Sequence, residues 1–152
     1  MDDLSAWIEL IHVMAATIWF GGTVYVEALI ANAKRTNDPQ IVGAVSMRVG
    51  KTNMRLFPIA GVITLLFGSW LVTDVGYEWS AVFVSVGLTV AIVGLAMGVL
   101  FFMPQMKKIE AILAADGPAS PELVAVGKKI GMATHFMAAI LTIAMFFMVV
   151  QP

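Results

Sequence analysis

Four stretches of the chain are almost entirely apolar, and the polar positions gather between them. The apolar stretches cover approximately residues 6–32, 56–73, 81–103 and 130–150. Each reaches the length of about 18 residues at which an apolar stretch is expected to cross a bilayer as a helix. The pattern therefore predicts an all-α fold, an integral membrane four-helix bundle with up-down-up-down connections, in one transmembrane domain spanning residues 1–152.

Composition and charge support this prediction. Of the 152 residues, 60% are hydrophobic and 12% are charged, with a mean hydropathy of +0.91. Because residues 1–7 lack the positive leader of a signal peptide, the first stretch is expected to remain as a permanent helix. Cysteine is absent, which excludes disulfides and thiolate metal sites and leaves histidine, methionine and carboxylates as candidate ligands.

All nine Lys and Arg residues lie in two segments, 33–55 and 104–129. The short loop between the second and third stretches carries Asp74 and Glu78 and no base. By the positive-inside rule, both basic segments are predicted to be cytoplasmic loops and both termini to lie outside, in a bacterial inner membrane. The basic segments suit contact with anionic lipid, and nothing in them indicates nucleic acid.

The basic segments are predicted to be partly helical. Asp38 is a suitable N-cap and Pro39 a favoured first residue, so a helix is expected to begin there and to run into the second stretch. The third stretch is expected to continue through Pro104 into an amphipathic segment that ends at the Asp-Gly-Pro of 116–118. The Ser-Pro-Glu of 120–122 then begins the last helix.

Ionisable residues inside the apolar stretches are the strongest candidates for chemistry, because they are costly there and usually face a bundle interior, a partner or a pathway. The chain's two histidines, His12 and His135, are both in this position, and small residues flank each of them one turn away. We expect both to face inward. On the first stretch, one face carries Glu9, His12, Ala16, Trp19, Thr23 and Glu27.

Two interpretations of these histidines remain open. In the first, each imidazole only forms a hydrogen bond between helices, which is a common packing device. In the second, His12 and His135 bind a cofactor, a b-type haem above all. Depth argues against one haem shared by both, since His12 is expected roughly 9 Å and His135 roughly 22 Å below the outer boundary.

Residues at the depth of His12 suggest how a ligand set could be completed. The outer part of the fourth stretch brings Met145 and Met148, which permits a His12–Met145 haem or a copper site with His12, Met145 and Met148 as metal ligands. Met14 is a further thioether for copper. The alternative is that these methionines only fill space between helices.

At the depth of His135, the first and second stretches supply Glu27 and Arg55. A Glu–Arg or Glu–His pair would lower the cost of Glu27 in the membrane. Together, Glu9, Glu27 and Arg55 form the predicted polar intramembrane cluster.

Several segments carry a family resemblance: HVMAATIWFGGTVYVEAL, NDPQIV, RLFPIAGVITLLFGSWLV and IEAILAADGPASPELVAVGKKI. In them the chain resembles a family of small bacterial four-helix membrane proteins, which is similar in turn to the copper-resistance D superfamily. That resemblance implies copper handling, or haem binding as in the membrane protoporphyrinogen oxidase of the superfamily, with His12 as the matching ligand. The lysine that the oxidase group uses has no counterpart, because no lysine lies within the four stretches. The oxidase activity is therefore not carried over.

Three functions follow as hypotheses. The first is a b-type haem membrane protein with a redox or electron-transfer role. The second is a non-catalytic subunit or anchor that docks a larger redox complex, and the third is a copper-handling protein. The expected partners are the lipid bilayer and either a redox protein or a second copy of the chain. No hydrolytic or phosphate-binding motif is present in the sequence.

Overall fold

The computed structural model describes residues 3–117 and 120–150, and all regular structure in them is helical. Because α3, the π-helix and α4 are continuous, the chain forms four long rods, each long and apolar enough to cross a membrane. This confirms the predicted four-helix membrane bundle. The elements are α1 (Asp3–Lys34), α2 (Pro39–Val75), α3 (Val82–Met97), a π-helix (Gly98–Phe102), α4 (Met103–Ala115) and α5 (Pro121–Val150).

The helix boundaries follow the local signals in the sequence. The Asp38 carboxylate accepts a hydrogen bond from the backbone N–H of Gln40 at 2.8 Å, and α2 begins at the next residue after this cap, as predicted. Helix α4 ends before Asp116, and Gly117 follows with φ of +75°, a left-handed conformation that favours glycine. The predicted stop at Pro118 lies outside the described residues.

Helix α2 is too long to lie wholly within a bilayer. Its 37 residues extend about 55 Å at 1.5 Å per residue, against roughly 30 Å of hydrocarbon. Its first part packs with α4 and the start of α5 at the basic end of the bundle, defined here as the end that carries all nine Lys and Arg residues. A small apolar core holds this end together: Met106, Ile109, Ile112 and Val126, with Met47 and Met54 packed against it.

The third rod continues through Pro104, as predicted, but with a π-helix that was not predicted. Proline lacks an N–H, and its ring clashes with the carbonyl four residues earlier, here that of Leu100. In the wider turn, the N–H of Met103 bonds to the carbonyl of Gly98 five residues back. We infer that this widening is how the helix accommodates the proline ring.

The main core lies between the four rods, where Trp19 is only 4% exposed. Two glycines make room for its indole: a methyl built at Gly61 would lie 3.1 Å from the ring, and one at Gly94 would lie 2.5 Å from it. Small residues therefore let α2 and α3 approach the ring closely. The other buried members of this core are Ala60, Val90, Ala91, Met137 and Leu141.

The end of the bundle opposite the basic end is called the amino end here, because α1 begins there. Helix α3 also begins at this end, and α2 and α5 end there. The buried Ser5 of α1 donates a hydrogen bond to the Asp74 carboxylate at the end of α2. This contact joins α1 to α2 beside the site described next.

Candidate functional site

The imidazole of His12 is held against α2 by a backbone hydrogen bond. Its Nδ1 lies 2.9 Å from the carbonyl oxygen of Thr64. Because a carbonyl only accepts, Nδ1 is the protonated nitrogen of the neutral ring and Nε2 keeps its lone pair. Within the described residues, Nε2 has no hydrogen-bond partner. Metal-binding histidines usually have this arrangement, with one nitrogen donating to a carbonyl and the other free.

Gly68, one turn after Thr64 on α2, provides the space for this ring. A methyl built at Gly68 would lie 2.7 Å from Cε1 and 2.9 Å from Nδ1 of His12. Neither of these two residues of α2 was predicted from the sequence. An isolated glycine in an apolar helix is a signal of close approach, but the role of Thr64 belongs to its backbone carbonyl and leaves no mark in the sequence.

His12 lines a cavity of about 380 Å³ at the amino end of the bundle. Residues of α1, α2, α3 and α5 form its walls, which are mainly apolar and aromatic. The loop between α2 and α3 contributes Tyr77 and Trp79, and Trp19 also lines the cavity. The volume lies within the range of about 300–1,000 Å³ that is typical of small-molecule and cofactor sites. The arrangement can therefore hold a ligand beside an imidazole nitrogen.

The structure places Met145 and Met148 of α5 in the same cavity as His12. The terminal methyl of Met148 takes the space that a side chain at Gly87 would need. Met14, the further thioether considered for copper, does not line the cavity and is 55% exposed. The three residues predicted as metal ligands thus line one cavity, and their binding of a metal stays a prediction.

The surroundings of the cavity are acidic. Glu9 lines it one turn before His12, and Asp74 and Glu78 lie at the same end of the bundle. All nine Lys and Arg residues are at the opposite end. Cations are therefore favoured near this cavity over anions.

His135 lies elsewhere, and the prediction that it faces inward is wrong. Its side chain is 74% exposed, and Nδ1 lies 2.6 Å from Oε1 of Glu27. Of the two predicted pairs, the Glu–His pair is the one that forms, and it lies on the surface of the bundle. The inward face of α5 carries Met137 and Leu141 instead. Helix α5 is apolar on nearly every side, so its sequence did not distinguish the two faces.

The predicted polar cluster is not assembled as a unit. Glu9 and Glu27 are 18 residues apart on α1, which is about 27 Å along the helix. Glu27 pairs with His135, and Arg55 is exposed on α2. His12 and Glu27 are 15 residues apart on α1, or about 22 Å. A haem shared by the two histidines is therefore not compatible with their positions.

The sequence profile of the DUF2269 family, described as predicted integral membrane proteins, matches residues 6–152. The chain belongs to this family. The match covers all four rods of the DUF2269 bundle, including both histidines. Searches of curated proteins and of solved structures find no match. Family membership supports a membrane location for this DUF2269 protein, whereas its ligand has to be argued from the geometry of the cavity.

Proposed function

We propose that the chain is an integral membrane protein that binds a b-type haem through His12 and has a redox or electron-transfer role. The observation that carries the proposal is the 2.9 Å contact between His12 Nδ1 and the Thr64 carbonyl, which leaves Nε2 free beside the cavity. Haem iron in membrane bundles is commonly bound by neutral imidazoles with this orientation. The resemblance to the copper-resistance D superfamily points to the same residue.

The residues around the cavity suit this role. His12 would hold the haem iron, with Met145 as the candidate second ligand. Thr64 orients the ring, Gly68 leaves space for it, and the cavity walls are mainly apolar. When bound, haem supplies a centre that gains and loses one electron.

The test is an absorption spectrum of detergent-purified protein from cells with adequate haem supply, oxidised and then reduced with dithionite. We expect a Soret band and a sharp reduced α-band, which disappear in His12→Ala. His135→Ala is the matched control and should keep both bands, because His135 does not line the cavity and its partner Glu27 lies about 22 Å from His12 along α1. Met145→Leu should shift the bands if Met145 also binds the iron.

A featureless spectrum of well-folded protein, or bands that survive in His12→Ala, would refute haem binding at this site. If the bands were lost only in His135→Ala, the haem ligand would be His135 instead of His12. If neither haem nor copper is bound, the remaining hypothesis is the non-catalytic anchor of a larger redox complex, which predicts that a partner protein co-purifies.

Copper handling is the second candidate, and the acidic surroundings of the cavity favour it. Haem propionates would meet Glu9, Asp74 and Glu78 without a neighbouring base, whereas a copper cation would be attracted. Imidazole and two thioethers suit Cu(I), which prefers soft ligands. Within the described residues no three His, Asp or Glu side chains group as a metal site, so the thioethers Met145 and Met148 would be needed.

Copper binding is tested by anaerobic titration of haem-free protein with Cu(I) against a competing chelator. Binding of one equivalent that is lost in both His12→Ala and Met148→Leu would support the copper site. Equal Cu(I) affinities for the natural chain, His12→Ala and Met148→Leu would refute it. Met132→Leu is the control, because Met132 is 65% exposed on α5 and does not line the cavity.

We also infer that the amino end faces the outside of a bacterial inner membrane. The basis is the concentration of all nine Lys and Arg residues at the basic end. Since the chain has no cysteine, single cysteines report orientation directly. An impermeant thiol reagent added to intact spheroplasts should label Ser80→Cys and spare Thr52→Cys, and the reverse result would invert the topology.

A further inference from the structure

The Glu27–His135 pair lies on the surface of the bundle at a depth where hydrocarbon surrounds it. Along α1, Glu27 precedes Lys34 by seven residues, and along α5, His135 follows Lys129 by six residues. These separations place the pair about 10 Å inside the last basic residues of both helices. With hydrocarbon roughly 30 Å thick, the pair lies within the apolar layer.

Each member of the pair has one polar atom that the fold leaves without a partner. Within residues 3–117 and 120–150, His135 hydrogen-bonds only through Nδ1, and Glu27 only through Oε1. His135 Nε2 and Glu27 Oε2 make no hydrogen bond there. Lipid tails offer neither donors nor acceptors, and unsatisfied polar atoms are costly in hydrocarbon. A polar group from outside the bundle is therefore needed at this place.

The surface around the pair permits another helix to approach closely. Gly131 and Ala139 lie one turn before and one turn after His135 on the same face of α5. A methyl built at Gly131 would meet nothing within 4 Å. Ala31 lies one turn after Glu27 on α1 and is exposed. Small residues on either side of a polar pair are typical of helix contacts in membranes.

We propose that the surface of α1 and α5 around Glu27 and His135 is the interface of a symmetric homodimer. With a hydrogen on Nε2, the pair presents one N–H donor, at His135 Nε2, and one oxygen acceptor, at Glu27 Oε2, so it is complementary to a second copy of itself. In a two-fold arrangement, His135 Nε2 donates to Glu27 of the partner subunit, and the reciprocal bond forms as well. A second copy thus satisfies both atoms with the same two residues.

Cross-linking of single cysteines tests this interface, because the natural chain has none. Ala139→Cys lies beside the pair, and Leu66→Cys on α2 is the matched control. Ala139 is ten residues from Lys129 and Leu66 eleven from Arg55, so the two depths agree, and Leu66 is 61% exposed. After oxidation in lipid vesicles, Ala139→Cys should give a product of twice the chain mass and Leu66→Cys should not.

The contribution of the pair is tested in the Ala139→Cys background. His135→Leu should reduce the dimer association constant about ten-fold, which corresponds to the loss of two interhelical hydrogen bonds. The double exchange Glu27→His with His135→Glu should restore cross-linking, because it keeps one donor and one acceptor. Such a rescue would show that His135→Leu acts by removing hydrogen bonds between subunits and not by unfolding the chain.

Three results would overturn the proposal: no dimer product from Ala139→Cys in vesicles, equal cross-linking of Leu66→Cys, or cross-linking that is unchanged by His135→Leu. When the same oxidation is carried out in native membranes, a product of any mass other than twice that of the chain would show that a different protein covers this surface. None of these outcomes depends on whether haem or copper occupies the cavity.

Discussion

The two histidines of this chain have opposite environments, although their sequence contexts are alike. His12 is packed against α2, is bonded to a backbone carbonyl and lines a cavity. His135 is 74% exposed and bonded to a carboxylate on the surface. Both have small residues one turn away. The comparison shows that the environment of a membrane histidine depends on the helix packed beside it and not on the residues that flank it in the sequence.

For His12, the decisive neighbour is α2. Thr64 supplies the carbonyl that orients the ring, and Gly68 supplies the space in which it lies. For His135, the neighbour is α1, which offers only Glu27. A ring fixed by backbone and glycine suits a ligand site, whereas a polar pair facing hydrocarbon suits contact with another protein chain. The two proposals above rest on this difference.

The largest expected effect comes from removing the indole that lines the His12 cavity. Trp19→Ala deletes a side chain that is 4% exposed and packed between Gly61 and Gly94. We expect a loss of about 3 kcal/mol in unfolding free energy. This is the lower end of the range for soluble cores, because lipid supplies no hydrophobic driving force between helices. Reversible unfolding in mixed micelles with increasing SDS measures it.

The control for this prediction is Trp7→Ala in the same helix. Trp7 is 64% exposed, so its loss should change the unfolding free energy by less than about 1 kcal/mol. Equal losses of unfolding free energy in the two variants would mean that the packing of Trp19 against Gly61 and Gly94 contributes little to stability.

An intermediate effect is expected when one methyl is added beside each histidine. Gly68→Ala places a carbon 2.7 Å from His12 Cε1, so the ring or α2 has to move. We expect destabilisation of about 1–3 kcal/mol, which is typical of overpacking, together with weaker ligand binding at His12. Unfolding in mixed micelles and titration with the ligand identified at His12 measure the two quantities separately.

Gly131→Ala is the matched substitution beside His135. A methyl there meets nothing within 4 Å, and alanine is favoured over glycine in a helix by roughly 0.5–1 kcal/mol. In monomeric detergent solution this variant should therefore be as stable as the natural chain or slightly more stable. If Gly68→Ala were also as stable as the natural chain, His12 could not be packed closely against α2.

The sequence predicted the fold well because helix signals are local. The lengths of the apolar stretches predicted the four rods, and Asp38 with Pro39 predicted the start of α2. The positions of the histidines were predicted less well. The inward face of α1 holds the buried Trp19 and Thr23, as expected, whereas the small-residue face of α5 points outward. Lipid and core are both apolar, so hydrophobicity does not separate the two faces of such a helix.

The separation of the two histidines along the bundle was also predictable for a physical reason. Rise per residue is nearly constant in an α-helix, so counting residues from the expected outer boundary of each helix separates His12 from His135 along the bundle. The roles of Thr64 and Gly68 depend on how α2 is placed beside α1. That placement results from packing over many residues, and no motif of a few residues encodes it.

The smallest effect compares two polar side-chain pairs in different surroundings. Glu27–His135 has an N–O distance of 2.6 Å at membrane depth, and Lys108–Glu122 has one of 2.8 Å at the basic end. Double-mutant cycles in monomeric detergent solution should give a coupling of about 1 kcal/mol for the first pair. The second pair should give about 0.5 kcal/mol, because both of its side chains are about half exposed.

Salt dependence separates the two pairs more clearly than these magnitudes do. Mobile ions screen charges in water over about 8 Å at physiological ionic strength, but they do not enter hydrocarbon. Raising the salt concentration should therefore reduce the Lys108–Glu122 coupling and leave the Glu27–His135 coupling unchanged. Equal screening of both would place His135 in water. It would then need no protein partner, and the dimer interface inferred around it would lose its physical basis.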